Sequence, residues 1–249
     1  MNDDHGRRMT ALMADAQRDQ SFPDSEPRDA ATLMLIDRAD PANPKVLLGR
    51  RHADHKFMPG KFVFPGGRIE PFDRKMPAAS ELHIDAQKKL LTRVADQAPD
   101  YARSFPLAAV RETCEETGLI LGVKRDAPPQ VPGEAWIDFA RALVLPDLAR
   151  IHFIARAITP PRRPKRFDTR FFTADATTIA HTIEGVVSPN SELVELVWSP
   201  IAEAAKLDLP TITSVVLEEL NARVAAGMAH DLPVPFYFTK DEKFFRELL

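Results

Sequence analysis

The chain has 249 residues, 44% of them hydrophobic and 28% charged, with a formal net charge of −3. That length suits one large domain or a domain with a substantial insertion, and the composition argues against wholesale disorder. The charge argues against a general nucleic-acid binder, which carries a basic excess, and a lone cysteine, Cys114, excludes an intrachain disulfide and a CxxC zinc site. No apolar run is long enough to span a bilayer, and the N-terminus lacks the basic-then-apolar order of a secretory signal. A cytoplasmic protein without a membrane partner is the default expectation.

Residues 1–28 are polar, with Pro23 and Pro27, and are expected to form a flexible arm, with room for a short helix near 9–16. The remainder, 29–249, is expected to be a single domain. The compact apolar run 31–36 suits a buried strand, and 45–50 a second one, paired with it across the turn at Asp40 and Pro41. Residues 60–67 read as a short strand entering a glycine turn at Gly66 and Gly67. From about 76 to 103, Leu82, Ala86, Leu90, Val94 and Ala98 recur near helical spacing, which predicts an amphipathic helix. Pro106 suits the first turn of the next helix, and Gly118 can close it in a left-handed cap.

Beyond Gly118, residues 134–143 look helical, and 151–158, 167–173 and 193–198 look like strands. A closing helix is predicted over 211–226. Strands and helices alternate without a regular βαβ beat, so the fold expected is α/β, a mixed sheet flanked by helices.

The chemistry concentrates in Arg111-Glu112-Thr113-Cys114-Glu115-Glu116-Thr117-Gly118. At roughly 100° per residue, Leu107, Val110, Cys114 and Thr117 fall on one side of a helix and Glu112, Glu115 and Glu116 on the other. Three crowded carboxylates repel one another unless a cation lies between them, and oxygen ligands suit Mg²⁺ or Mn²⁺. The same spacing also describes a solvated acidic face, and spacing alone does not separate the two. Gly66 and Gly67 put no side chain in the way, so a backbone carbonyl there could approach a metal or phosphate.

Phe64-Pro65-Gly66-Gly67 followed by the Arg111–Gly118 segment resembles the Nudix box: a glycine, five residues, a glutamate, seven residues, then Arg-Glu-x-x-Glu-Glu-x-Gly. Two departures stand out. Asp73 replaces the first glutamate, and a helical insertion of about residues 74–105 replaces the short spacer. A Nudix subgroup that includes coenzyme A diphosphatases is similar in carrying such an insertion. The resemblance implies an α/β/α sandwich with a mixed, curved sheet. It further implies Mg²⁺ or Mn²⁺ held by Glu112, Glu115, Glu116 and the Gly66 carbonyl, with Arg111 fixing a neighbouring glutamate.

The implied reaction is hydrolysis of a diphosphate linkage in a small nucleotide-type substrate, coenzyme A or acyl-CoA first. ADP-ribose or an NADH-type dinucleotide is the alternative, and a nucleotide-sensing module without turnover a third reading. Arg51 and Lys56 lie in a stretch similar to one preceding the box in coenzyme A-cleaving members. With Gly67, and with Arg166 from the basic cluster 162–170, they are the candidate substrate-binding residues. Cys114 is expected to be a packed thiol. The stripe of Leu82, Leu90 and Val94 leaves a homodimer open.

Overall fold

The structure, a computed structural model, describes residues 3–16, 20–54 and 58–249. Its first element lies in the stretch 1–28 expected as an arm and includes the position of the short helix expected near 9–16. Helix α1 (Asp3–Asp15) is docked on the domain by Met9 and Met13, both buried in an apolar cluster with Val216 and Leu220. Arg8 reaches Glu218 at 2.9 Å, and His5 lies 3.3 Å from the buried Glu219.

Strand β1 (Arg28–Asp37) is the apolar run expected at 31–36, and it alternates between two cores. Ala31, Leu33 and Leu35 enter one cluster, and Met34 and Ile36 the other. Strand β2 (Lys45–Arg51) pairs with the end of β1, Ile36 opposite Val46. Strand β3 (Phe62–Val63) joins β2, and strand β4 (Gly66–Arg68) joins the other half of the same β1 edge. Gly66 and Gly67 therefore lie inside a strand and not in a turn, opposite Thr32 and Ala31.

The long helix expected over 76–103 is not continuous. Only α2 (Ile84–Leu90) forms from its first part; Arg93 adopts φ 57°, and a new helix, α3 (Pro99–Thr117), starts with a proline at its N-terminus. Pro106 therefore sits inside α3, not in its first turn. The second half of the insertion and the glutamate segment are one helix. Leu82, Ala86, Leu90, Ala102 and Phe105 are buried in the same core as Leu107 and Val110, so most of the apolar stripe packs within the chain, while its third member, Val94, is half-buried. Arg103 pins the segment further, with a two-bond fork to Glu81 and hydrogen bonds to the carbonyls of Arg74 and Met76.

Gly118 caps α3 with φ 76°, as expected. Strands β5 (Leu119–Leu121) and β6 (Val123–Lys124), helix α4 (Ile137–Arg141) and strand β7 (Val144–Leu145) follow. Then come β8 (His152–Ile158), β9 (Phe167–Asp175), β10 (Ile179–Thr182), β11 (Leu193–Pro200), α5 (Ile201–Ala204) and α6 (Thr211–Ala225). A closing hairpin, β12 (Pro235–Lys240) and β13 (Lys243–Leu248), was not expected.

The main sheet runs β11-β2-β1-β9-β8-β12-β13, with β3 and β4 attached to β2 and β1. β1 with β9 and β8 with β12 are parallel and the other pairs antiparallel, so the sheet is mixed. α2 and α3 cover one face and α1 and α6 the other, which is the expected sandwich. No described helix is long and apolar enough to cross a membrane.

Candidate active site

The site forms where β2 and β4 share one edge of β1 and α3 lies across them. Its centre is Arg111, almost wholly buried. Each of its five N–H donors has a partner. Nε and Nη2 donate to the two oxygens of Asp73, at 2.9 and 3.1 Å, and Nη2 also to the Arg68 carbonyl at 2.9 Å. Nη1 donates to Glu112 at 2.7 Å and to Glu115 at 3.2 Å. Burial would lower the Arg111 pKa, but Asp73, Glu112 and Glu115 together hold it above its ordinary value.

Glu116 departs from the face assigned to it. It is buried, not solvated, and accepts a hydrogen bond from the Gly66 N–H at 3.3 Å. In an extended strand the N–H and C=O of one residue point to the same edge, so the Gly66 carbonyl is turned from β1 towards the glutamates as well. A Cβ at Gly67 would meet the Glu112 carboxylate, which would have to shift. A Cβ at Gly66 would collide with Thr32 and the Ala31 carbonyl.

Negative charge is crowded here. Burial raises the Glu116 pKa well above the ordinary carboxylate value, and Glu192 and Glu112 raise it further, with Arg51 and the Gly66 N–H opposing. Burial also raises Glu112, against the pull of Arg111. Among the described residues, no three acidic, histidine or cysteine side chains are already drawn into a closed ligand set. Glu112 and Glu115 lean on Arg111 instead. The donors are nevertheless all carboxylate or carbonyl oxygens in a place short of positive charge, and such a set fits Mg²⁺ or Mn²⁺.

Of the other sequence candidates, Arg51 is near Glu116 and pairs with Glu192 at 2.9 Å. Lys56 lies outside the described residues. Arg166 is joined to Asp24, Ser25 and Thr159, none of them on the glutamate helix. The basic cluster is likewise dispersed: Arg162 pairs with Glu242, and Arg170 is fully buried against Asp168 and Asp29. Burial raises the Cys114 thiol to about 12, which suits a packed side chain. A cavity of about 580 Å³ lined by Arg38, Arg150 and Asp175 contains no box residue.

Sequence reasoning left Asp73 without a role and passed over Trp136 and Glu192. Asp73 could have been found, since it occupies the box's first acidic position. Trp136 and Glu192 arrive through tertiary contact, and no local spacing marks them.

No protein-family model matches the chain. Among solved structures it is similar to a Nudix hydrolase from Alicyclobacillus acidocaldarius, at 28% identity and TM-score 0.63, over 84% of this chain and 97% of that one. A Nudix hydrolase from M. smegmatis, RenU, matches at 19% identity and TM-score 0.43, over 80% and 87% of the two chains. The Nudix domain of Shewanella oneidensis NrtR, complexed with ADP ribose, matches at 15% and 0.43, over 90% and 99%. The fold is that of Nudix hydrolases, enzymes that act on acid anhydrides in phosphorus-containing compounds. Within that class, the likeness of weight is to the A. acidocaldarius enzyme, nearly all of which this chain spans.

Proposed function

We propose that this protein hydrolyses a diphosphate linkage in a small nucleoside-diphosphate-linked substrate, with Mg²⁺ or Mn²⁺ held by Glu112, Glu115, Glu116 and the Gly66 carbonyl. The observation that carries this reading is the grouping at one edge of α3. Arg111 gathers Glu112 and Glu115, and the Gly66 N–H holds Glu116 beside them. Bound there, a divalent cation supplies charge neutralisation of the diphosphate and lowers the pKa of an attacking water.

The chain's own residues do the positioning. Arg111 fixes the rotamers of two ligands, a supporting task. Gly67 leaves its backbone open to a phosphate. Arg51, whose present partner is Glu192, can offer its guanidinium fork to a phosphate oxygen. Glu112 is the group placed to act as ligand or to accept the water's proton. A new P–O bond forms on the attacked phosphorus, and the bridging oxygen departs with the other phosphate. Two phosphorylated products result, without a covalent enzyme intermediate.

Coenzyme A or an acyl-CoA is the first substrate class to test, because the stretch from Leu47 through Gly60 resembles coenzyme A-cleaving members. ADP-ribose and NADH-type dinucleotides come next. Lys56 and Arg166 are retained as substrate-binding candidates on sequence grounds. A sensing module without turnover is disfavoured by the retention of all three box glutamates.

The test is a panel of these diphosphates incubated with Mg²⁺ or Mn²⁺, with the products identified by mass. We expect cleavage into two phosphorylated fragments that stops with chelator and returns with either ion. Full turnover in excess chelator would overturn the reading.

A further inference from the structure

We infer that Trp136, which lies outside the box, is a positioning residue for the metal-binding glutamates, acting through Asp73 and Arg111. The inference rests on the metal-hydrolase reading above. Asp73 is fully buried, and its carboxylate accepts four hydrogen bonds. Oδ1 takes Arg111 Nε at 2.9 Å and the Trp136 indole N–H at 3.3 Å. Oδ2 takes Arg111 Nη2 at 3.1 Å and the Glu70 N–H at 2.8 Å.

Two of Arg111's three nitrogens are thereby committed away from the glutamates, and only Nη1 faces them. The direction of Nη1 is set by the plane in which Asp73 holds the guanidinium. That plane is in turn fixed by the two donors that are not Arg111, the Glu70 N–H and the Trp136 indole. An aspartate is one methylene shorter than the glutamate that stands here in the box this segment resembles. Its Oδ1 is shared between Arg111 and the Trp136 indole. Trp136 is itself immobilised, fully buried and edge-on to Phe139 at 4.8 Å. The outer support of the glutamates therefore comes from the short helical turn Glu134–Trp136, well beyond the end of α3, where no box position would point to it.

The test is Mn²⁺ binding, read from the free-ion electron paramagnetic resonance signal, in the parent protein, W136F, D73E and the W136F/D73E double variant. E115Q is the control for binding at this site. W136F keeps an aromatic ring but loses the N–H. We expect its Mn²⁺ affinity to fall about tenfold, the lower end of what losing an outer-shell partner costs. The KM for substrate at saturating Mn²⁺ should be unchanged. D73E alone should also weaken Mn²⁺, because the extra methylene has no room beside the indole. The double variant, with a smaller ring and a longer carboxylate, should recover most of the parent affinity.

A purely structural role for Trp136 predicts lowered thermal midpoints with unchanged Mn²⁺ affinity in the folded fraction, and that result would overturn the inference. Parent-like binding by D73E alone would overturn it as well, even if W136F did not fold. If the parent protein binds no Mn²⁺, or E115Q binds as well as the parent, the metal-hydrolase reading falls, and this inference falls with it.

Discussion

Glu116 is a buried acid beside Glu112 and Glu192, so its ionisation opposes folding of the metal-free protein. Its pKa is raised in the folded state. The stability this confers is therefore fully present below the ordinary carboxylate pKa and is lost as pH rises through the raised value. We expect the thermal midpoint of the parent protein in chelator to fall from mildly acidic to neutral pH. E116Q should flatten that part of the profile and match or exceed the parent at neutral pH. A parent midpoint that rises over this interval, with E116Q unchanged beside it, would count against the placement of Glu116. The same substitution removes a charged ligand of the proposed metal site, so turnover with Mg²⁺ should fall by about two orders of magnitude or more, as should that of E115Q. Greater stability with lost activity is the signature expected of a functional site. The glutamates were legible in the sequence because helical spacing is local. Their burial was not, since it depends on Gly66, 50 residues before Glu116, and on Arg51 from β2.

α3 carries the reading at the level of elements. Its C-terminal half was readable from Leu107, Val110 and Cys114 on one side and Gly118 at the end. Its N-terminal half was assigned to a different helix, because the apolar period from Leu82 to Ala98 runs on across a turn that Arg93 makes with positive φ. Periodicity reports which side chains face the core, not whether the backbone between them stays helical. The consequence is mechanical, since the insertion shares a continuous helix with the glutamate segment and shares its core. Leu90→Ala should cost about 2–4 kcal/mol, as expected for a large-to-small change at a buried leucine. Mn²⁺ affinity in the folded protein should stay at the parent level. Val110→Asp, which buries an unpaired charge under the same helix, should prevent folding altogether. Denaturant titration of both variants checks this, and equal, small losses would mean that the buried side of α3 is wrongly assigned.

Across the whole molecule, the sheet separates two kinds of work. The glutamates and the insertion occupy one face, whereas α1 and α6 pack on the other, and the hairpin β12–β13 extends the far edge. The sequence leaves room for a short helix near 9–16 but does not show that the N-terminal helix docks, because it has no apolar run. Only Met9 and Met13, one helical turn apart, are buried, among Asp and Arg residues that remain outside. Two buried methionines contribute about 1.5–3 kcal/mol each, to which the exposed pair of Arg8 with Glu218 adds little. Removing residues 1–16 should therefore lower the thermal midpoint and uncover an apolar strip along α6, including Val216 and Leu220. Such a strip favours self-association, visible as a concentration-dependent increase in mass by size-exclusion chromatography with light scattering. Turnover per folded molecule should persist, because no residue of α1 touches the face that carries Arg111 and the three glutamates. A truncated protein with the parent midpoint and mass would show that α1 contributes nothing to the core. Loss of turnover without loss of stability would show that the two faces of the sheet are coupled.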